Sequence, residues 1–242
     1  MKLFRGAADF MNKKREFGEG PLYIITNYIM WFFLGNFYFL LCNIPLIFIL
    51  FSFSGEFVAE YLVLLTLAAL PLGPAYTALL SVMGKLVREK DVNITRDYFS
   101  AYKTNFLQSL FVWTVQIVLI IILLIDIRFF SGGAYGKIAV PIIYAFIIII
   151  LVTGIYIYSI LSRFYLKTKD VIKSSIYFIV AKWKITISCI SVFVISFTVA
   201  YRFTSMTALF IASLTCYALM FLQKDILKDL EEKLKHIQMP EV

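Results

Sequence analysis

The chain has 242 residues, of which 61% are hydrophobic and 16% are charged. A typical soluble domain is about 45–50% apolar and about 25% charged, so this excess of apolar side chains argues against a soluble protein and indicates one that is dissolved in lipid. The formal net charge is +8, but no nucleic-acid-binding motif accompanies it, and nucleic acid is not a predicted partner.

Six apolar stretches are long enough to span a bilayer, whose hydrocarbon core of about 30 Å requires about 20 helical residues. They are Ile24–Phe53, Tyr61–Met83, Phe106–Ile125, Ile138–Ser162, Ile185–Tyr201 and Ser205–Leu222. A tight turn must separate the last two stretches, and residues 223–242 form a charged tail. The predicted fold is therefore all-α, a single polytopic membrane domain over residues 1–242 with about six transmembrane helices.

The positive charges are distributed unevenly between the two sides of these stretches. Of the 23 Lys and Arg residues, 20 fall in the N-terminal segment, in the loops after the second and fourth stretches, and in the tail. The opposite side holds Arg128, Lys137 and Arg202. Cytoplasmic loops carry the excess of Lys and Arg, so both termini are predicted to be cytoplasmic. This side would also attract anionic lipids of the inner leaflet, at about 1 kcal/mol per basic residue.

The basic segments before the first, third and fifth spans have amphipathic spacing. Thr95 is predicted to cap the helix that enters the third span. The apolar stripes are Tyr98, Tyr102, Phe106 and Leu110 before the third span, Ile172, Ile176, Ile179 and Trp183 before the fifth, and a weaker Phe4, Ala7, Ala8 and Met11. Such helices either lie in the membrane interface or extend the spans into the cytoplasm, and the sequence leaves both alternatives open.

The predicted spans lack the side chains that membrane catalysis and ion coupling use. Their interiors contain no Asp, Glu, Lys or His, the groups that mark proton relays and ion pathways in membranes. The three cysteines have no metal-site spacing, and the single histidine, His236, lies in the charged tail. No phosphate-binding loop or nucleophile elbow is present. We therefore expect a protein that is not an enzyme and that has no cofactor or metal site.

Neutral amides are the main polar groups inside the spans. Asn36 and Asn43 are seven residues apart and therefore share a helix face to within about 20°. On the third span, Asn105, Ser109 and Gln116 fall within about 40° of one another, and Gln108 is close by. These side chains could line a path for a solute, or they could form interhelical hydrogen bonds worth about 0.6–2 kcal/mol each. We favour the second interpretation.

The second span contains two prolines within four residues, Pro71 and Pro74, with Gly73 between them. Each proline removes a backbone donor and clashes with the preceding turn, so the helix is predicted to be distorted between Leu70 and Ala75 and covered by protein. Gly73 and Thr77 offer a small surface for close helix contact. A break of this kind serves either as a packing kink or, as in some transporters, as a binding site.

Several local motifs in the first half of the chain carry a family resemblance. Asn43–Pro45 closes a first span that begins after Gly20–Leu22, the Gly-Pro-Ala run lies within Leu72–Leu79, and Asp97–Ser109 leads to Trp113. This series resembles the YesL-like family of bacterial membrane proteins, a family of unknown function.

The resemblance implies a bacterial plasma-membrane protein of five or six spans. It also implies a genetic association with sugar-binding lipoproteins and ABC importer permeases. The leading hypothesis is a non-enzymatic accessory protein of a carbohydrate ABC importer that packs against permease subunits. The alternative is a self-contained transporter of small solutes or lipids whose site is the broken second helix. The sequence leaves open whether the protein forms a homo-oligomer.

Overall fold

The computed structural model describes residues 21–52, 61–133, 135–202 and 207–238. Within these ranges the chain folds into helices joined by short turns, without a strand. The helices are α1 (Pro21–Cys42), α2 (Ile44–Ser52), α3 (Tyr61–Ala68), α4 (Leu72–Glu89), α5 (Ile94–Ser131), α6 (Gly136–Leu161), α7 (Thr168–Ala181), α8 (Trp183–Arg202) and α9 (Ile211–Gln238).

Five segments among the described residues are long and apolar enough to cross a membrane. They are Tyr23–Cys42, Leu62–Glu89, Ile94–Ser131, Gly136–Leu161 and Trp183–Arg202. The sixth predicted span begins in residues 203–206, which lie outside the described part of the chain. Its residues 211–222 form the start of α9, which continues without interruption into the charged tail. The all-α membrane bundle expected from the sequence is confirmed.

The first predicted span folds as two helices, α1 and α2, rather than as one. The amide nitrogen of Asn43 donates to the carbonyl of Leu40 at 3.0 Å, which tightens the end of α1. The side-chain amide of Asn43 donates to the carbonyl of Phe39 at 2.7 Å, the group that this backbone nitrogen would otherwise reach. Pro45 then fits the first turn of α2, where a missing N–H is tolerated.

Helix α4 is the central element and packs against α1, α5, α6 and α9. Its C-terminal half carries a row of fully buried apolar side chains, which include Leu79, Leu80, Met83 and Leu86. Partners from α5, α6 and α9 close around this row, and they are equally buried: Tyr98, Ile160, Leu161, Leu219, Ile226 and Leu227. This half of the bundle is therefore closely packed.

The closely packed half lies next to the end of the bundle where the basic loops meet. This end is called the basic end here, and Lys85, Arg163 and Lys182 mark it. Ion pairs tie the elements together there. Lys85 Nζ lies 2.8 Å from Asp97 Oδ2, and Arg163 pairs with Glu231 of α9. The polar part of α9 is thus held against the loops that precede it.

The amphipathic segments take two different forms. The one before the third span is the first part of α5, and its Tyr98 is fully buried in the bundle. Asn93, not Thr95, caps this helix, because its side chain accepts a hydrogen bond from the backbone nitrogen of Arg96 at 3.2 Å. The expected Thr95 cap is therefore wrong, and its hydroxyl bonds to that of Tyr38 instead.

The segment before the fifth span is a separate helix, α7. It buries Val171, Ser175 and Phe178. Of the predicted stripe, Ile172, Ile176 and Trp183 are exposed, whereas Ile179 packs partly against the core. An exposed apolar stripe on a short helix would suit a helix that lies in the membrane interface, and that placement stays a prediction. The weaker N-terminal stripe lies outside the described residues.

Candidate functional site

The site begins with the interruption between α3 and α4. Leu70 N donates to Leu67 O at 3.2 Å and Leu72 N donates to Ala69 O at 3.1 Å, so two tight turns replace the regular helical ladder. Proline at position 71 has no N–H to continue the ladder. The predicted distortion is confirmed, and regular helix resumes at Leu72, earlier than Ala75.

A side chain of α5 covers this interruption. The indole nitrogen of Trp113 donates to the carbonyl of Ala69 at 2.7 Å. The same indole packs on Gly73, where a Cβ would lie 2.4 Å from Trp113 Cβ, a separation that non-bonded atoms cannot adopt. The hydroxyl of Thr77 bonds to the Gly73 carbonyl at 2.9 Å. Gly73 therefore lets α4 and α5 approach closely enough for Trp113 to cap the broken helix.

A cavity of about 440 Å³ lies directly beside this break, in the half of the bundle away from the basic end. Leu72 and Tyr76 of α4 and Trp113 of α5 form one wall, and the other walls come from α1, α6, α8 and α9. The lining residues are Phe39, Leu72, Tyr76, Trp113, Gln116, Leu151, Gly154, Ile155, Tyr158, Phe193, Ser196, Phe197, Ala200, Ile211, Ala212, Thr215 and Cys216. The lining contains no carboxylate, lysine, arginine or histidine.

The amide of Gln116 joins two walls of the cavity. Its nitrogen donates to the carbonyl of Ile150 at 3.1 Å, and its oxygen accepts from the hydroxyl of Tyr158 at 2.7 Å. Gly154 makes room for this contact, since a Cβ there would lie 2.6 Å from the amide nitrogen. Gln116 therefore lines the cavity and also bonds α5 to α6, so both interpretations of its sequence position apply.

Tyr76 contributes a hydroxyl to the cavity wall that is not hydrogen-bonded. Its hydroxyl is buried and has no hydrogen-bond partner among the described residues. Its ring meets that of Tyr158 edge-on, with 5.5 Å between the ring centroids. Sequence reasoning did not select Tyr76 or Tyr158. The available signal was their position within spans, since tyrosine in membrane proteins concentrates at the interfaces.

The other amides predicted from the sequence lie outside the cavity. The Asn36 nitrogen donates to the carbonyl of Ala208 at 2.7 Å, and its oxygen accepts from Ala212 N at 3.1 Å. This side chain therefore inserts between two backbone groups that a regular helix would pair directly, and it bonds α1 to the start of α9. Asn43 follows α1 and bonds back to Phe39 of that helix, and its oxygen is buried without a partner among the described residues.

Gln108 and Asn105 lie nearer the basic end. The Gln108 amide donates to the carbonyl of Leu166 at 2.8 Å and bonds α5 to the loop before α7. Asn105 borders a separate small cleft with Asp97 and Arg163. The nine predicted site residues therefore do not form one constellation. Within the described part of the chain, no group of three His, Cys, Asp or Glu side chains gathers in metal-binding geometry.

Comparison with known proteins adds one finding. Residues 24–127 match the family model described as a protein of unknown function, DUF624. Among curated proteins and among solved structures, nothing matches the chain. The matched segment runs from α1 into the second half of α5 and includes the broken helix and Trp113. The resemblance is therefore confirmed: over residues 24–127 the chain carries a DUF624 domain, the domain of the family to which YesL belongs.

Proposed function

We propose that this protein is a non-enzymatic accessory subunit of a membrane transporter and that its partner is a carbohydrate ABC importer of the bacterial plasma membrane, with both termini in the cytoplasm. The observation that carries the proposal is how the polar side chains inside the bundle are used. Asn36, Gln108 and Gln116 all bond one segment of the described chain to another, which is the chemistry of helix association.

The packing next to the basic end supports the same conclusion. A solute that crossed the bundle would have to pass between Leu80, Met83, Ile160 and Leu227, which are almost inaccessible to solvent. Close-packed apolar side chains offer no partner for a sugar hydroxyl, and an unpaired hydroxyl costs about 1–3 kcal/mol by mutational data. The bundle is therefore better suited to contact another membrane protein than to conduct a sugar by itself.

Helix α8 offers the surface for that contact. Of its 20 residues only Thr186 and Cys189 are buried, and its outward face presents Ile187, Val194 and Ile195. A span that contributes so little to its own bundle leaves most of its surface to lipid or to a neighbouring helix. The choice of a carbohydrate importer as the neighbour rests on the family resemblance.

The test separates assistance from transport. The purified protein alone, reconstituted into liposomes, should give no saturable uptake of labelled oligosaccharides, whereas cells that lack the gene should lose oligosaccharide import and regain it on complementation. Saturable uptake by the protein alone would overturn the accessory role. Unchanged import in the deleted cells would also contradict it.

One observation favours the alternative, a self-contained transporter of small solutes or lipids. The cavity lies against the broken helix, as binding sites do in transporters built on discontinuous helices. Its walls favour an apolar cargo. Transfer of a fluorescent phospholipid between the leaflets of protein-containing liposomes, well above that of protein-free liposomes, would support this alternative.

A further inference from the structure

The cavity opens sideways, between α6 and α8. Three of its lining residues are also exposed on the outside of the bundle, namely Leu151 at 51%, Phe193 at 36% and Phe197 at 75%. Helices α6 and α8 make few contacts with each other, so they leave a gap at this point. Both helices are long and apolar enough to span a membrane. The opening therefore faces lipid hydrocarbon, and whatever enters the cavity comes from the bilayer.

Among the side-chain nitrogen and oxygen atoms of the walls, the Tyr76 hydroxyl is the exception that forms no hydrogen bond with the described residues. Gln116 bonds to Ile150 O and to Tyr158, and the indole of Trp113 bonds to a backbone carbonyl. The hydroxyl of Thr215 bonds to that of Ser196 at 2.7 Å. A polar molecule would leave most of its own polar groups without hydrogen bonds in this cavity. A hydrocarbon chain that moved in from the bilayer would lose no hydrogen bond.

The size of the cavity also points to an occupant. Its volume of about 440 Å³ lies within the range of about 300–1,000 Å³ that small-molecule sites occupy. An empty space of this size would forfeit dispersion contacts along all of its walls. Because the opening adjoins the acyl chains of the bilayer, a chain that bends inward would restore those contacts.

We propose that this cavity binds one acyl chain of a phospholipid, inserted laterally between α6 and α8. The lipid belongs to the leaflet at the Arg202 end of α8, since Ala200 lines the cavity two residues before that cation. Arg202 is exposed at the helix end, where a basic side chain lies at the level of lipid phosphates. This site does not depend on the accessory role and would hold equally in a transporter.

Trp113 provides the reporter for the test. It lines the cavity, whereas the other two tryptophans, Trp31 and Trp183, do not. In the full-length Trp31→Phe/Trp183→Phe variant, all tryptophan emission comes from Trp113. Bromine atoms on an acyl chain quench indole fluorescence only at short range. Vesicles of phosphatidylcholine brominated in mid-chain should therefore strongly reduce the Trp113 emission, relative to vesicles of the same lipid without bromine.

Two substitutions on α8 distinguish a chain inside the cavity from lipid around the bundle. Ala200→Phe fills the cavity and should restore most of the lost emission. Ile195→Phe adds the same side chain at a position that is 61% exposed on the same helix and does not line the cavity, so its quenching should match that of the unsubstituted reporter. Equal quenching in both variants, or none in the reporter itself, would overturn the proposal.

A second readout requires no tryptophan replacement. Native mass spectrometry of the protein extracted in mild detergent should show a retained phospholipid in the wild type and in Ile195→Phe, and its loss in Ala200→Phe. Retention that is the same in all three proteins would place the lipid elsewhere on the surface and contradict the site.

Discussion

Gly73→Ala tests the close approach of α4 and α5 that supports the broken helix. A methyl group at position 73 would lie 2.4 Å from Cβ and 2.7 Å from Cγ of Trp113, and 3.1 Å from the backbone carbonyl of Ser109. Two of these atoms are the first two side-chain carbons of Trp113, and the third is a backbone oxygen. None of them can move away through a change of side-chain rotamer alone. The helices must separate instead.

The magnitude follows from three contributions. Overpacking of a close-packed interface costs about 1–3 kcal/mol. Loosening the Trp113 indole from the Ala69 carbonyl removes a hydrogen bond worth about 0.5–1.5 kcal/mol. Alanine returns about 1 kcal/mol through its higher helix propensity. The net destabilisation of Gly73→Ala is therefore roughly 0.5–3.5 kcal/mol, with the upper part of the range favoured by the 2.4 Å approach.

The assay is equilibrium unfolding in detergent micelles, followed by helical circular dichroism. Gly132→Ala is the matched control, because a Cβ at Gly132 meets nothing within 4 Å and its φ of −89° suits any residue. This control should leave the stability unchanged or raise it slightly. If Gly73→Ala proved as stable as Gly132→Ala, the close contact between α4 and Trp113 would be wrong.

Three further predictions concern other contacts and the orientation. Asn36→Leu removes both hydrogen bonds to α9 and should destabilise the bundle by about 1–4 kcal/mol, since each interhelical contact contributes about 0.6–2 kcal/mol; unfolding in detergent measures this. Tyr158→Phe leaves the Gln116 oxygen buried and unbonded, which should cost about 1–3 kcal/mol, whereas additional replacement of Gln116 by Leu should recover part of the loss. A cysteine placed at Lys137, in a cysteine-free background, should react with an impermeant thiol reagent on intact cells, and one placed at Lys169 should not. Labelling of the second position would refute the orientation predicted from the basic residues.

Local features of the structure could be predicted from the sequence. The length of an apolar run and the missing N–H of Pro71 are local properties of the sequence, so the five apolar segments and the interrupted second helix were predictable. The division of the first predicted span at Asn43 was not predicted. The sequence predicts Thr95 as the cap at the start of α5, because threonine is a good capping residue. The prediction failed because Asn93, two residues earlier, places its side chain to accept from Arg96 N.

The cavity could not be predicted, because it depends on where distant helices pack. Tyr76 and Cys216 both line it, yet they are 140 residues apart in the chain, and no local pattern relates them. The exposed stripe of α7 also depends on packing that the sequence does not show. The spacing of Ile172 and Ile176 indicated an apolar face, but only the packing of Val171 against the bundle shows that this face points outward.

The most direct test of the accessory role is to identify what touches the exposed face of α8 in native membranes. A photo-crosslinking amino acid at Val194, which is 60% exposed, should form an adduct with a permease subunit of a carbohydrate importer, identified by mass spectrometry. The same reagent at Cys189, which is fully buried on the same helix, should form no such adduct. Adducts at Val194 with lipid alone, or with a second copy of this chain alone, would contradict the proposed partnership.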